Sequence, residues 1–527
     1  MGKQARRTSQ RAPGPPSAQK QLSAQKQPSA QKQPSAQKQS SAQKQASAQP
    51  ARKGSSPQSA QKGTSLRAPA RSPGPGRPGL GIGRWAALAG SASVLVVASL
   101  VADGLAYAAK AACTAGAWNV GLEQYQAHCY TDIYPLYFNE GLSAGKIPYL
   151  DHHVEYPVII GAVMEGAAWV VRTTSNPAIR GLHFFNVTVA VLALFLIAAV
   201  LATAYCAGPQ RRWTALLVAL SPALILSAYI NWDIIAMSLM MLSLAAWAAK
   251  RPVWAGVLLG LAVATKFYPV VALWPMFLLC LRAGRMRTFW VTAGAGAAAW
   301  LVVNLPVAFV APSGWATFYV FSEQRPADWG SIFLYFEHLR WPLLGTYSVP
   351  TLNLLSDGAL LVACVAIGVL AMAASRRPRL AQLIFLTTAA FVVTNKVWSP
   401  QYVVWLVPLV VLARPKIIGY LIWQVAEVGY FYAVWAYLIT AIDLFNNVNY
   451  ADGISLDLYY TAMIARLGTV LLLCGLVVRD ALRPDVDVVR SAGVDDPGGG
   501  VLDGAPDKLV LRGRSLRRLT PRIQPAH

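Results

Sequence analysis

Long apolar runs separated by short basic connectors dominate the chain from residue 85 onward. The first run, 85–107, is long enough for a helix to cross about 30 Å of hydrocarbon. Comparable runs follow at 182–206, 213–230, 233–249, 288–311, 355–374, 380–396, 401–413, 416–440 and 457–478. A further run at 253–281 is too long for one span and too short for two, and a Lys-Phe-Tyr-Pro sequence beginning at Lys266 interrupts it. This pattern predicts an all-α polytopic membrane protein.

The basic connectors predict how these runs are oriented, because Lys and Arg concentrate on the cytoplasmic side of a membrane. The connectors are Arg211-Arg212, Lys250-Arg251, Arg282/Arg285/Arg287, Arg376-Arg377/Arg379, Arg414/Lys416 and Arg479/Arg483. All of them lie inside if 253–281 is a hairpin with Lys266 at its outer turn and if 158–171 lies in the outer interface. The result is about twelve membrane passes with both termini cytoplasmic and a large first loop, 108–156, outside the cell membrane.

The N-terminal segment 1–84 has a different composition, with 16 Lys or Arg and no Asp or Glu. The unit SAQKQ begins at Ser17, Ser23, Ser29, Ser35 and Ser41. Such a segment has little apolar surface to bury, so we expect a disordered basic cytoplasmic tail that contacts anionic membrane lipids. It lacks the aromatic side chains that stack on bases, and no nucleic-acid partner is predicted. We expect the membrane domain to occupy 85–479, followed by a disordered cytoplasmic tail at 480–527.

The composition excludes two other classes of protein. Apolar residues make up 55% of the 527 residues and charged residues only 13%, too few charges to cover the surface of a soluble enzyme. Disorder throughout is excluded by 17 Trp, 21 Tyr and 16 Phe. The six Cys are scattered and do not resemble a disulfide scaffold.

The first outer loop concentrates carboxylates and histidines in a chain that has few of either. Its density of Tyr and Pro favours short helices packed on the bilayer surface, although an ordinary solvated loop is the alternative. Asp132, set among Tyr130, Tyr134 and Tyr137, can be held rigidly with a pKa tuned by partial burial. The candidate metal ligands are His128, Asp132, Asp151, His152, His153 and Glu155. No HxxxH or HExxH spacing is present among them, and no metal or other cofactor is predicted.

Cationic groups stand at the predicted outer ends of the membrane runs. Lys266 lies at the hairpin turn, Lys396 at the outer end of a run and Arg325 in a long outer loop. Lys and Arg at this depth suit a lipid-linked phosphate, because they make charge-assisted bonds to its oxygens. Two alternatives stay open: Lys396 reaches the interface simply to expose its charge, and Arg325 forms a local ion pair with neighbouring Glu323 or Asp328.

Two residue pairs have a structural interpretation. Glu427 and Arg466 each lie about 17 Å from the inner end of their runs, and we expect them to neutralise each other there. Cys113 and Cys129 share the outer loop, where the environment permits oxidation. The sequence leaves open whether they form a disulfide.

Six motifs occur in order along the predicted outer face. They are Tyr130-Thr131-Asp132, Gly145-Lys146-Ile147-Pro148-Tyr149, Val154-Glu155-Tyr156-Pro157, Asn231-Trp232-Asp233, Thr265-Lys266-Phe267-Tyr268-Pro269 and Lys396-Val397-Trp398-Ser399-Pro400-Gln401-Tyr402. Together they resemble the actinobacterial branch of glycosyltransferase family 87, integral-membrane mannosyltransferases of the GT-C fold. The resemblance covers about 85–479. It departs at Val158, where many relatives carry a second Pro.

This resemblance implies a GT-C-type bundle of about twelve transmembrane helices with a helical first extracytoplasmic loop. It implies inverting transfer of a sugar, typically mannose, from a polyprenyl-phosphate-sugar donor to a lipid or glycan acceptor outside the membrane. Asp132 matches the general base, and Lys266, helped by Arg325 or Lys396, would stabilise the departing polyprenyl phosphate. Residues expected to contact the sugar or the acceptor are Glu155, Tyr156, Trp232, Asp233, Trp398 and Gln401, with Tyr156, Trp232 and Trp398 as stacking platforms.

Two other classes of protein remain as alternatives. A transporter or flippase of a lipid-linked glycan would also need many passes and a broken helix, but such proteins tend to have two similar halves. The chain has one Lys-Phe-Tyr-Pro interruption and no counterpart in its second half. A scaffold for other envelope enzymes would explain the SAQKQ repeats but not Asp132 or Lys266.

Overall fold

The computed structural model of the chain describes residues 82–340, 347–446 and 452–511. These residues form α-helices joined by short 3-10 turns and contain no β-strand. The helices are α1 Ile82–Ala108, α2 Ala111–Thr114, α3 Glu123–Gln126, α4 Ile133–Asn139, α5 Val158–Val171, α6 Pro177–Ala207, α7 Leu216–Ala219, α8 Pro222–Ser227, α9 Asp233–Ala248, α10 Pro252–Thr265, α11 Leu273–Ala283, α12 Met286–Val310, α13 Pro312–Gln324, α14 Ile332–His338, α15 Val349–Ala373, α16 Leu380–Val393, α17 Val403–Ala413, α18 Ile417–Asn446 and α19 Leu456–Leu482. The predicted SAQKQ tail lies outside the described residues.

Several helices are suited to a membrane, as the apolar runs predicted. Six within the described ranges are long and apolar enough to cross one: Ser91–Ala108, Ile179–Ala207, Met286–Val310, Val349–Ala373, Ile417–Leu444 and Leu456–Leu482. Shorter apolar helices are Val158–Val171, Asp233–Ala248, Pro252–Thr265, Tyr268–Ala283, Leu380–Val393 and Pro400–Ala413. The all-helical, multi-pass character is therefore confirmed, whereas the count of about twelve passes and the GT-C arrangement stay predictions.

The interrupted run at 253–281 forms two helices, α10 and α11, and the chain reverses between them. Just before α10, the Trp247 indole donates to the Gly499 carbonyl over 2.9 Å. At the end of α11, the Arg282 guanidinium donates to Asp507 over 2.6 Å. Because both ends contact the same C-terminal segment, the turn that carries Lys266 lies at the opposite end of the bundle.

Glycines hold α10 tightly against α12 and thereby fix this turn. A Cβ atom on Gly256 would lie 2.1 Å from the Thr292 carbonyl oxygen, and one on Gly260 would lie 2.2 Å from that of Gly296. Small residues at such contacts let two membrane helices approach closely enough for their backbones to pack.

The predicted run at 213–230 is not one helix. It divides into Arg212–Ala215, Leu216–Ala219 and Pro222–Ser227. Pro222 has no backbone N–H and its ring displaces the preceding turn, so the helix must break in front of it. The Ser221 hydroxyl then caps the new helix by accepting from the Leu224 N–H over 3.2 Å.

The expectation of a disordered C-terminal tail from residue 480 is wrong for 483–511. Asp487 pairs with Arg379 over 2.8 Å, and both side chains are buried. Asp507 pairs with Arg377 over 2.7 Å and also with Arg282. These carboxylates bind the arginines of the predicted cytoplasmic connectors, so the segment folds back across the helix ends.

Candidate functional site

Asp132 is held against the segment that precedes α9. The Asp132 N–H donates to the Ile230 carbonyl over 2.7 Å. The Thr131 hydroxyl donates to the Tyr229 carbonyl over 2.7 Å and accepts from the Ile133 N–H over 3.2 Å, at the start of α4. The first loop and the 229–230 backbone are therefore joined at the residue predicted to be the base.

Asp233 begins α9 and is buried, with only 4% of its surface exposed. Its N–H donates to the Asn231 side chain over 2.9 Å, which shapes the turn before the helix. One carboxylate oxygen accepts from the Trp405 indole over 3.1 Å. The other lies 2.9 Å from the Lys266 Nζ atom. A carboxylate at a helix N-terminus is also favoured by the helix dipole.

Lys266 enters this site because Pro269 stops α10. A proline cannot continue a helix past the carbonyl four residues earlier, which belongs to Thr265. α10 ends at Thr265, and Lys266 takes an extended backbone conformation before a 3-10 turn at Tyr268–Ala272. The ammonium group thereby reaches Asp233 and lies 5.4 Å from the centre of the Tyr156 ring and 5.9 Å from that of Tyr402.

The residues Tyr130, Asp132, Tyr156, Asp233 and Lys266 form what we call the acid–lysine cluster. The Tyr130 hydroxyl donates to one oxygen of Asp132 over 2.6 Å, and the Tyr156 hydroxyl donates to the other over 3.4 Å. The cluster places a carboxylate at the hydroxyl of Tyr156 and a cation over the ring of the same residue. Such a site can take a proton and stabilise a developing negative charge in the same reaction.

The environment of Asp132 tunes its acidity. Burial raises the pKa of the Asp132 carboxyl above its ordinary value, while the hydrogen bond from Tyr130 and the positive charge of Lys266 oppose that rise. A raised carboxyl pKa strengthens the group as a proton acceptor, provided that it is still ionised at the working pH.

Glu155 is exposed and directly precedes Tyr156, and its charge acts on Tyr156, Arg325 and Glu140. Burial, assisted by the charge of Glu155, raises the pKa of Glu140 to about 7. Gln401 is buried at the start of the segment that carries Tyr402.

The structure corrects the role expected of Trp232 and Trp398. Both rings are almost completely buried, at 0% and 1% exposure, and neither offers a face for a sugar. Trp232 packs edge-on against Tyr156, with ring centres 5.4 Å apart. Trp398 is covered by the Arg466 guanidinium, 4.3 Å from its ring centre. These tryptophans support the site instead of lining it.

The other two predicted phosphate ligands have partners of their own. Arg325 is ion-paired with Asp328, as the local alternative predicted, and its charge also acts on Tyr402. Lys396 donates to the Glu323 carbonyl over 2.9 Å and to the Asn353 side chain. Lys396 therefore joins the end of α13 to α15. These hydrogen bonds of its ammonium group are made to Glu323 and Asn353, which do not belong to the acid–lysine cluster.

Two residue pairs that do not belong to the acid–lysine cluster stabilise the segments around it. Cys113 and Cys129, whose pairing the sequence left open, are joined by a disulfide with Cα atoms 5.8 Å apart. Arg466 and Glu427 form a buried ion pair over 2.7 Å. Arg466 also donates to the carbonyls of Trp398 and Ser399, over 2.9 and 3.2 Å, just before the turn that leads to Tyr402.

The histidines of the first loop take part in local contacts. His152 lies 3.1 Å from Glu140, and the His128 Nδ1 atom lies 2.7 Å from the Tyr125 carbonyl oxygen. Within the described ranges, no group of three or more His, Cys, Asp and Glu residues is arranged to hold a metal ion.

Sequence reasoning did not assign several residues that surround the cluster. Tyr402 and Trp405 stack with ring centres 3.9 Å apart, and Trp405 binds Asp233. Their spacing in one motif is a signal, but Tyr and Trp are common at this depth in any membrane protein. Lys110 is buried beside Tyr130, although a lysine directly after an apolar run is normally taken only as an orientation marker.

The fold is that of a polytopic helical membrane protein, and the site is a partly buried cluster of carboxylates, tyrosines and a lysine at one end of its bundle. The model of glycosyltransferase family 87 matches residues 156–400, a little under half of the chain, and this match supports membership of that family. The match includes Tyr156, Asp233 and Lys266, whereas Asp132 precedes it. No curated protein sequence matches the chain. Membership of this family implies a glycosyltransferase.

Proposed function

We propose that this glycosyltransferase moves a sugar, with mannose as the first candidate, from a polyprenyl-phosphate donor to a lipid or glycan acceptor. The reaction takes place at the extracytoplasmic face of the cell membrane and inverts the anomeric centre. The observation that carries the proposal is the acid–lysine cluster, in which a carboxylate and a cation both lie against Tyr156. The basic connectors at the opposite helix ends support the extracytoplasmic side.

Asp132 acts as the general base. The acceptor hydroxyl gives its proton to Asp132 while its oxygen forms a bond to the anomeric carbon. The bond between that carbon and the phosphate oxygen breaks, and the electron pair leaves with polyprenyl phosphate. Attack from the face opposite the phosphate accounts for inversion. The hydrogen bonds from Tyr130 and Tyr156 hold the Asp132 carboxylate in a fixed position for this step.

Lys266 stabilises the leaving group. The donor is a phosphate diester with one negative charge, and the departing polyprenyl phosphate carries one more, so stabilisation grows as the bond breaks. Asp233 holds the ammonium group of Lys266 in place through their ion pair. Arg325 supplies a second cation next to Tyr402, and Asp328 partly neutralises it. Lys396 holds the loop that carries Arg325.

Tyr156, Glu155 and Gln401 complete the proposed sugar and acceptor contacts. Tyr156 borders both charged groups, so its ring and hydroxyl meet a sugar placed between them. Glu155 is exposed directly before Tyr156 and offers a carboxylate to acceptor hydroxyls. Membrane lipids supply the surroundings of the polyprenyl chain. The residues assigned to this step need no cofactor, because phosphate is a fair leaving group once its charge is balanced.

The test is transfer by purified Asp132→Asn protein, given labelled polyprenyl-phosphate mannose and membrane lipids as acceptors. Loss of a general base lowers turnover by about a hundredfold or more. Glu123→Gln is the matched control, because Glu123 is exposed in the same loop and lies outside the cluster. Near-normal turnover by well-folded Asp132→Asn protein would remove Asp132 as the base. No transfer by the wild-type chain with any lipid or glycan fraction would remove the proposed donor.

A further inference from the structure

Lys110 is a buried cation close to the proposed base, Asp132. It lies between α1 and α2, and only 1% of its surface is exposed. Its ammonium group donates to the Tyr130 carbonyl over 2.7 Å. The hydroxyl of the same tyrosine donates to Asp132 over 2.6 Å. Lys110 and Asp132 thus both bind Tyr130, Lys110 at its backbone carbonyl and Asp132 at its hydroxyl.

The disulfide keeps Lys110 in this place. Cys113 lies in α2, three residues after Lys110, and Cys129 immediately precedes Tyr130. The bond therefore ties the two backbone segments that carry the donor and the acceptor of the Lys110 hydrogen bond. The Trp118 indole, which lies inside the closed loop, donates to the Cys129 carbonyl over 3.3 Å. This arrangement costs the burial of an ammonium group, and such a cost usually marks a function.

Lys110 and Asp132 also interact electrostatically. Burial lowers the pKa of the Lys110 ammonium to about 7, and the nearby charge of Asp132 opposes that fall. Asp132 also faces the hydroxyls of Tyr130 and Tyr156 and the charges of Lys266 and Asp233. Lys266 is itself paired with Asp233, so the two charges largely offset each other at Asp132. Lys110 has no carboxylate partner of this kind within hydrogen-bond distance among the described contacts.

We propose that Lys110 is a positioning residue that keeps Asp132 in its carboxylate form, with the Cys113–Cys129 disulfide holding the buried ammonium group beside it. This inference rests on the proposed function, because it assigns Lys110 a role through the general base. It also couples the protonation of Asp132 to that of Lys110 during the reaction. When Asp132 gains the acceptor proton, the negative charge that stabilises the Lys110 ammonium disappears, and the ammonium is then more easily deprotonated.

The test is the pH dependence of sugar transfer by Lys110→Met protein. The acidic limb of the pH–rate profile reports the ionisation of the Asp132 carboxyl, which produces the carboxylate base. Removal of a nearby positive charge raises the pKa of a carboxyl by about one unit or more. We therefore expect the acidic limb to move to higher pH by about one unit, a roughly tenfold loss of relative rate on that limb. Lys110→Arg keeps the charge and should keep the limb at its wild-type position, even if turnover falls.

Two further variants complete the design. Lys146→Met changes an exposed lysine of the same loop and should leave the profile unchanged. Cys113→Ser with Cys129→Ser should move the acidic limb in the same direction as Lys110→Met. A Lys110→Met limb at the wild-type position would overturn the role of Lys110, and an unmoved limb in the double serine variant would overturn that of the disulfide. Either result requires a wild-type chain that transfers sugar, so both differ from a failure of the proposed function.

Discussion

The Lys266 ammonium lies 2.9 Å from the Asp233 carboxylate, although the two residues come from different turns of the bundle. Asp233 begins α9, and Lys266 follows the last residue of α10. The pair holds the ammonium group next to the Tyr156 ring, so the position of this cation is fixed before any donor binds. Such preorganisation lets an electrostatic group stabilise a developing charge without reorganising during the reaction.

Lys266→Met should weaken the use of the lipid donor more than the use of the acceptor. The ammonium is proposed to face the donor phosphate, whose charge grows as the sugar leaves. We expect kcat/KM for the donor to fall at least tenfold, with a smaller change in the KM for the acceptor. Steady-state kinetics with each substrate varied in turn measure the difference, and Lys146→Met is the control. Equal losses for both substrates would indicate a structural role for Lys266.

Tyr130→Phe should shift the acidic limb of the pH profile to higher pH. The Tyr130 hydroxyl stabilises the ionised form of Asp132, and its loss raises the pKa of a carboxyl that burial has already raised. A hydrogen bond to a charged group is worth about 1.5–3 kcal/mol, which corresponds to a shift of about one pH unit or more. Tyr134→Phe is the control, because Tyr134 binds Asn119 in the same loop. An acidic limb that moves to lower pH would contradict the assignment.

The buried pair of Glu427 and Arg466 should matter chiefly for stability. Glu427→Leu leaves the Arg466 guanidinium buried without its carboxylate, a change that costs about 3–5 kcal/mol. Glu427→Leu combined with Arg466→Met should be less destabilising than Glu427→Leu alone, because no uncompensated charge remains. Thermal unfolding of the purified proteins in detergent measures both. A double variant less stable than Glu427→Leu would show that Arg466 acts mainly through Trp398 and Ser399.

The packed C-terminal segment leads to a fourth prediction. Asp507→Asn weakens the ion pairs with Arg282 and Arg377, of which Arg282 is fully buried. We expect a lower unfolding temperature and little change in kcat/KM for transfer at low temperature, because the segment lies at the opposite end of the bundle from Lys266. Asp485→Asn, at an exposed position in the same segment, is the control. Loss of transfer without loss of stability would assign the segment a direct role in catalysis.

The sequence predicted those features of the fold that depend on local pattern. Apolar runs predicted the long helices, and the proline after Lys266 predicted the reversal of the interrupted run. The packing of 483–511 could not be predicted from local pattern. Its aspartates are spread among glycine and proline, and they pair with arginines more than a hundred residues away in the sequence.

The candidate site was predictable to a similar extent. Its charged residues could be selected from the sequence, but their pairing could not. Lys266 and Lys396 both stand at the end of a run, yet only Lys266 enters the acid–lysine cluster. Whether a Trp ring lines a site or lies buried beneath it, as for Trp232 and Trp398, is decided by tertiary packing alone.

The central claim is best tested by following a labelled donor in proteoliposomes that contain the purified wild-type chain and candidate acceptor lipids. The measurement is the chemical form of the label after incubation, together with the amount of free polyprenyl phosphate. We expect label to pass from polyprenyl-phosphate mannose into a new product, with one polyprenyl phosphate released for each sugar transferred. Intact donor that moves between the two leaflets without any new product would contradict the account and identify a transporter instead.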